Sequence, residues 1–127
     1  MSRELHEFRA LIAEGCPDVP RPDAALVGRI TGPRRIGALG RERYLVFTLR
    51  ARTNGVGLVA SAHCTAGVAD APFPVFPYDL PQWDVDRRDY MMAEPLKVDG
   101  AGNIVLTDWP GIGYELAEEM LAKTRTG

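Results

Sequence analysis

Tyr44-Leu45-Val46-Phe47-Thr48-Leu49 is the stretch on which the fold turns. Nearly every residue in it is apolar, β-branched or aromatic, the composition of a strand buried on both faces. Upstream, Thr31 stands where a helix N-cap would stand, Pro33 sits in the tolerated first turn, and Ile36 and Leu39 face inward to about Arg43. Downstream, Arg50 to Gly55 is a polar loop, and Val56 to Val68 reads as a small-residue helix burying Leu58, Val59, Ala62 and Ala66.

Working outward, Leu5, Phe8, Leu11 and Ile12 make one apolar stripe over Glu4 to Glu14, closed by Gly15 at C′ and by Pro17. Asp18 to Asp23 is a poor extended piece, because Pro20 and Pro22 remove two donors. Ala24 to Gly32 is a loop. Pro72-Phe73-Pro74-Val75-Phe76-Pro77 is another extended piece, and Leu80 to Tyr90 is irregular around Trp83. Pro95 to Leu106 reads as a hairpin turning at Asp99-Gly100-Ala101-Gly102, Trp109 to Gly113 as a tight turn, and Glu115 to Lys123 as a short closing helix. Helix and strand alternate as in parallel βα units. The fold class is therefore α/β, in one domain over 1–127: βα units in 1–77 and a C-terminal extension in 78–127. A closed (β/α)8 barrel needs about 250 residues, so this chain supplies about three of its eight units.

Composition narrows the function classes. The chain has 127 residues, 46% hydrophobic and 25% charged, with net charge -2. That is an ordinary globular balance without the basic field that nucleic acid requires. No apolar run approaches the roughly 20 residues of a membrane span. Met1 to Gly15 lacks the apolar core of an export signal, so the expected compartment is the cytoplasm. Cys16 and Cys64 form no CxxC pair and read as inert thiols, and His63 as a packing or surface residue. Gly55-Val56-Gly57 at a helix start either cradles an anion or simply makes the helix start.

Two series of residues resemble one family. Arg21-Pro22-Asp23-Ala24-Ala25-Leu26-Val27-Gly28-Arg29-Ile30-Thr31-Gly32 is similar to the sixth barrel strand and following loop of the enolase superfamily, closest to its mandelate racemase, muconate lactonizing and acid-sugar dehydratase branch. Phe76-Pro77-Tyr78-Asp79-Leu80-Pro81-Gln82-Trp83, then Glu94-Pro95-Leu96, Asp99-Gly100 and Asp108-Trp109-Pro110-Gly111-Ile112-Gly113 resemble its C-terminal succession. The resemblance runs from about Glu7 to Leu121. It implies a lyase or isomerase that abstracts a proton α to a carboxylate while Mg²⁺ meets the enediolate charge. The implied metal ligands are carboxylates on strands three to five, which would lie ahead of Met1, so no metal ligand is expected in this chain.

The resemblance also assigns roles, and the residues depart from them. Asp23 matches the Asp of a His–Asp dyad, although after Pro22 it serves equally as a turn residue. Arg50 stands where the dyad His belongs and Arg52 where a Trp belongs. Arginine stays protonated and is no base at neutral pH. Val75 stands where strand eight carries a Glu. Arg50, alone or with Arg52, remains a candidate for holding a substrate carboxylate or phosphate. Three readings follow: a truncated superfamily relative without independent catalysis; the C-terminal part of a split Mg-dependent dehydratase or racemase; or a non-catalytic interaction module using its open sheet edge. Three units leave free strand edges, so self-association or an upstream barrel half is the expected partner.

Overall fold

The computed structural model describes residues 4–68 and 73–125. Five helices follow one another: α1 (Leu5–Ala13), α2 (Thr31–Arg41), α3 (Gly55–Ala66), α4 (Val85–Asp89) and α5 (Glu118–Thr124). The sequence stripe of α1 faces inward, with Phe8 and Ile12 buried and Leu5 and Leu11 half-buried. The helix stops as its residues dictate. Gly15 takes φ 70, and paired bonds run from its N–H to Ile12 O and from Cys16 N–H to Leu11 O.

Thr31 is the first residue of α2 rather than its cap. The turns before it are already helical, with Gly32 N–H bonded to Gly28 O and Arg34 N–H to Ile30 O. The helix stops at Arg41, short of Arg43, because the chain reverses there. Leu45 N–H reaches Gly40 O and Tyr44 N–H reaches Arg41 O, which places Tyr44 at φ 57, the position Gly15 fills after α1. Ile36 is fully buried and Leu39 half-buried. In α3 Leu58, Val59 and Ala62 are buried as expected, but Ala66 is exposed; Thr65 turns inward instead, its hydroxyl donating to Ser61 O.

The expected strands reduce to isolated bridges, and the reason is local. Segment 20–23 lies parallel to 48–50, with Thr48 N–H donating to Pro20 O at 3.4 Å, Arg50 N–H to Pro22 O at 2.9 Å, and one bridge at Asp23–Arg50. In a parallel pair the return bonds to the carbonyls of Val46, Thr48 and Arg50 would come from the N–H groups of residues 20, 22 and 24, and the first two are prolines. The burial expected on both faces of 44–49 is also corrected. Phe47 and Leu49 are buried and Leu45 half-buried, while Val46 is 53% and Tyr44 97% exposed. Pro72 lies outside the described residues, and residues 73–77 run extended without a ladder.

The expected hairpin is a single antiparallel bridge, Val98–Ile104. Asp99 competes with its ladder: Oδ1 accepts the N–H of Asn103 at 2.8 Å and of Ala101 at 2.9 Å. These backbone donors, Asn103 foremost, hold the Asp99 carboxyl below its usual range. The stretch expected to be irregular contains α4, whose start is capped by Asp84 accepting from Arg87 N–H at 2.8 Å. The last helix begins at Glu118, three residues later than expected.

Two apolar clusters share α3. One gathers Phe8, Ile12, Ile36, Phe47, Leu49, Cys64 and Val68. The other gathers Ala51, Leu58, Val59, Met92 and Leu96, with Phe76, Ile104 and Tyr114 against it. No helix among the described residues is long and apolar enough to cross a membrane.

Candidate functional site

The positions singled out from the sequence meet at one end of the two extended segments. Asp23 and Arg50 are parallel bridge partners, so their side chains leave the backbone side by side. Asp23 is buried, and its Oδ1 accepts Ala25 N–H at 2.9 Å while its carbonyl takes Leu26 and Val27 N–H. The carboxylate thus caps the loop that leads to α2, which is the turn role its sequence context allowed. Arg50 is half-buried, and among the described residues its guanidinium has no ion-pair partner.

Alternation along 46–52 sets the direction of both arginines. Phe47, Leu49 and Ala51 are buried under the helices, so Val46, Thr48, Arg50 and Arg52 form the opposite row. Arg52 Nη2 lies 3.4 Å from Asp79 Oδ2, an exposed pair worth a fraction of a kcal/mol at most. A cavity of about 470 Å³ opens beside that pair, lined by Arg52, Val75, Pro77, Asp79, Gln82 and Trp83 among others. The Trp83 Nε1–H is buried without a partner among the described residues. Val75 brings only an aliphatic wall.

The remaining candidates sort to structural roles. His63 Nε2 lies 3.0 Å from Ile112 O, tying α3 to the C-terminal extension. Burial pushes the Cys64 thiol up to about 11, against a weaker opposing pull from Arg34. Cys16 is exposed. The glycines opening α3 are there for space: a Cβ on Gly57 would stand 1.9 Å from Thr53 Oγ1, and one on Gly55 2.2 Å from Met92 Sδ. The Gly57 N–H is taken by Asn54 Oδ1 at 3.3 Å, so helix-start geometry accounts for this motif.

One polar cluster escaped the sequence reading. Arg88, fully buried, donates from Nε to Asp89 Oδ1 at 2.8 Å and from Nη2 to Asp89 Oδ2 at 2.5 Å. It also donates to Pro77 O and Leu96 O, and stacks 4.2 Å from the Phe76 ring centre. Asp89 Oδ2 in turn accepts Leu96 N–H. The only sequence signal was the charge order around α4, Asp84 and Asp86 before Arg87 and Arg88, which suits a helix dipole.

Chemically, the end of the extended segments presents guanidinium rather than a base. Nothing at Arg50 or Val75 can accept a proton from carbon. Among the described residues no three His, Cys, Asp or Glu side chains converge, so they do not fit Mg²⁺, which takes octahedral oxygen coordination.

Residues 1–120 match the family model described as enolase C-terminal domain-like. A mandelate racemase/muconate lactonizing enzyme-like protein from Rubrobacter xylanophilus is 32% identical, covers 96% of this chain and 30% of its own, and superposes with TM-score 0.76. An enolase from Agrobacterium radiobacter, named as a candidate galactarate dehydratase and bound to Na and L-malate, gives 21% identity, 94% and 33% coverage and TM-score 0.78. An enolase of the mandelate racemase subgroup from Agrobacterium tumefaciens gives 21%, 97% and 33%, and 0.77. The chain therefore spans about a third of the length of the structures it matches.

Proposed function

Because the chain belongs to the enolase C-terminal domain-like family, we propose that it is the closing portion of a (β/α)8 barrel, about three βα units with a hairpin extension, and that alone it abstracts no proton. The observation that carries this reading is the Asp23–Arg50 bridge. It sets the residue at the dyad Asp position beside a permanently protonated arginine, where the family resemblance calls for an imidazole, and the two side chains form no ion pair among the described residues. One oxygen of the Asp23 carboxylate meanwhile accepts Ala25 N–H. Two uncovalenced thiols, Cys16 and Cys64, suit a reducing cytoplasm.

The test is α-proton exchange in D2O, followed by NMR, on a panel of acid sugars and mandelate with Mg²⁺ added. The wild-type chain is expected to give the uncatalysed rate. The double variant Arg50→His with Val75→Glu is expected to give it too, since the donor set for a divalent ion is still missing. Exchange above background by either protein overturns the reading.

A second reading is favoured by the guanidinium of Arg50, which has no ion-pair partner among the described residues, and by the share of the relatives' length that is matched. In it the chain completes a Mg-dependent dehydratase or racemase. The metal is held by the remaining barrel strands, and Arg50 binds the substrate carboxylate. Activity that appears only with those strands present, and that falls on Arg50→Ala, supports this second reading over a purely non-catalytic interaction module.

A further inference from the structure

The charges of this chain are divided between its two apolar clusters. Residues 21–52 hold eight arginines against Asp23 and Glu42, whereas residues 79–119 hold ten acidic residues against Arg87, Arg88 and Lys97. The first stretch supplies Ile36, Phe47 and Leu49 to one cluster, and the second supplies Met92 and Leu96 to the other. A net charge of -2 therefore conceals a basic half and an acidic half.

Folding gathers each sign on a surface. In α2 the residues Pro33, Ile36, Gly37 and Gly40 are buried, so the helical period puts Arg34 and Arg35 on the outer side. Arg29 and Arg43 stand exposed just beyond the two ends of the helix. None of these four arginines has an ion-pair partner among the described residues. Ile30 and Tyr44, next to them in the chain, are exposed as well. On the C-terminal side, the Met92–Leu116 bridge and the bond from Ala93 N–H to Glu115 O bring Glu94 beside Glu115. Glu118 opens α5, a helix with no buried residue. Glu94, Glu115 and Glu118 likewise lack ion-pair partners among the described residues. Tyr114 feels this field: burial first, then the charges of Asp89 and Glu94, hold its hydroxyl above the usual value. Leu116 is exposed here, and exposed Trp109 shares a surface hollow with Glu115.

We propose that the α2 face of one copy docks on the C-terminal extension of a second copy, guanidinium against carboxylate. Charge complementarity selects this partner, because the sign that each face lacks is carried by the other face of the same chain. A polyanion would meet the repulsion of the acidic half. Arginine and aromatic side chains, present on these two faces, are the types enriched at interfaces. The two faces differ, so the contact is heterologous and each pair of copies keeps one free face of each sign. Association therefore continues end to end.

Sedimentation of the full chain is run under reducing conditions, which keep exposed Cys16 from forming disulfides. Association that grows with concentration is expected at about 0.05 M salt. From there to about 0.5 M the screening length falls from roughly 14 Å to roughly 4 Å, and the dissociation constant should rise about tenfold or more. Arg34→Gln with Arg35→Gln, and separately Glu115→Gln with Glu118→Gln, should each weaken association about fivefold or more. Mixed together, each double variant keeps the face that the other has lost. They should form a one-to-one complex of near wild-type affinity that grows no further. Glu14→Gln with Asp18→Asn removes two exposed acids outside the extension and should leave association unchanged. A monomer at every salt concentration, association indifferent to salt, no complex in the mixture, or an equal loss in the Glu14 and Asp18 variant overturns the proposal. If a double variant does not fold by circular dichroism, the salt dependence of the wild type decides. Proton exchange on acid sugars is read separately, so this proposal and the barrel reading fail independently.

Discussion

The cluster around Ile36 and Phe47 and the region around Arg88 hold the chain together by opposite means. The first is a dry contact of α1, α2 and the 45–49 segment with α3, every member apolar except the Cys64 thiol. The second places a guanidinium and a carboxylate at 0% and 3% side-chain exposure and uses them to gather Pro77, Leu96 and the Phe76 ring. The difference teaches what each region can tolerate. Apolar contacts are interchangeable and lose energy gradually, whereas a buried ion pair tolerates removal of both charges far better than removal of one.

The largest expected effect breaks the polar region. Asp89→Ala leaves Arg88 buried and uncompensated, and should cost about 3–5 kcal/mol in urea unfolding. The double change Arg88→Met with Asp89→Leu should cost markedly less than the single change; equal losses would show that geometry rather than charge holds the region. In the apolar region, Leu49→Ala should cost about 2–5 kcal/mol, read the same way, with the spread set by how far the cavity collapses. Smaller again are the caps. Asn54→Ala at α3 and Asp84→Ala at α4 should each cost about 1 kcal/mol, provided both helices are equally supported by their surroundings.

The smallest effect has the opposite sign. Tyr44 occupies a left-handed conformation while 97% exposed, so it carries strain without burial. Tyr44→Gly should stabilise the chain by about 1 kcal/mol in thermal melts. A thiol titration sharpens the comparison further. At pH 8 the exposed Cys16 should react with a disulfide reagent, while Cys64, with its thiol pushed up to about 11 inside the apolar cluster, should react only on unfolding.

Legibility followed the same division. The stripe of α1, its glycine stop, the inward face of α3 and the extended 45–49 segment all rest on local periodicity, which the residues carry themselves. The placement of Asp23 beside Arg50 was legible through the resemblance of the surrounding run, and the parallel bridge agrees with it. What escaped was pairing. Reading Asp18 to Asp23 as an extended piece anticipated two missing donors, and a spacing of two puts both on one side; which neighbour that side faces is a matter of register. The burial of Arg88 carries no signal in the sequence, since nothing adjacent announces that Pro77 and Leu96 will surround it.

By itself, then, the sequence determined the existence of α1, α2 and α3, the glycine stop of α1, the extended character of the segments between them, and the family. The tertiary structure alone decided which edge keeps its donors, which row of the 46–52 segment stays uncovered, and that the C-terminal extension is fastened by a buried ion pair. The physical reason is range. Periodicity, capping and turn chemistry act over three or four residues, whereas desolvation of a charge and the register of two strands depend on groups brought together from 8 to 28 positions away.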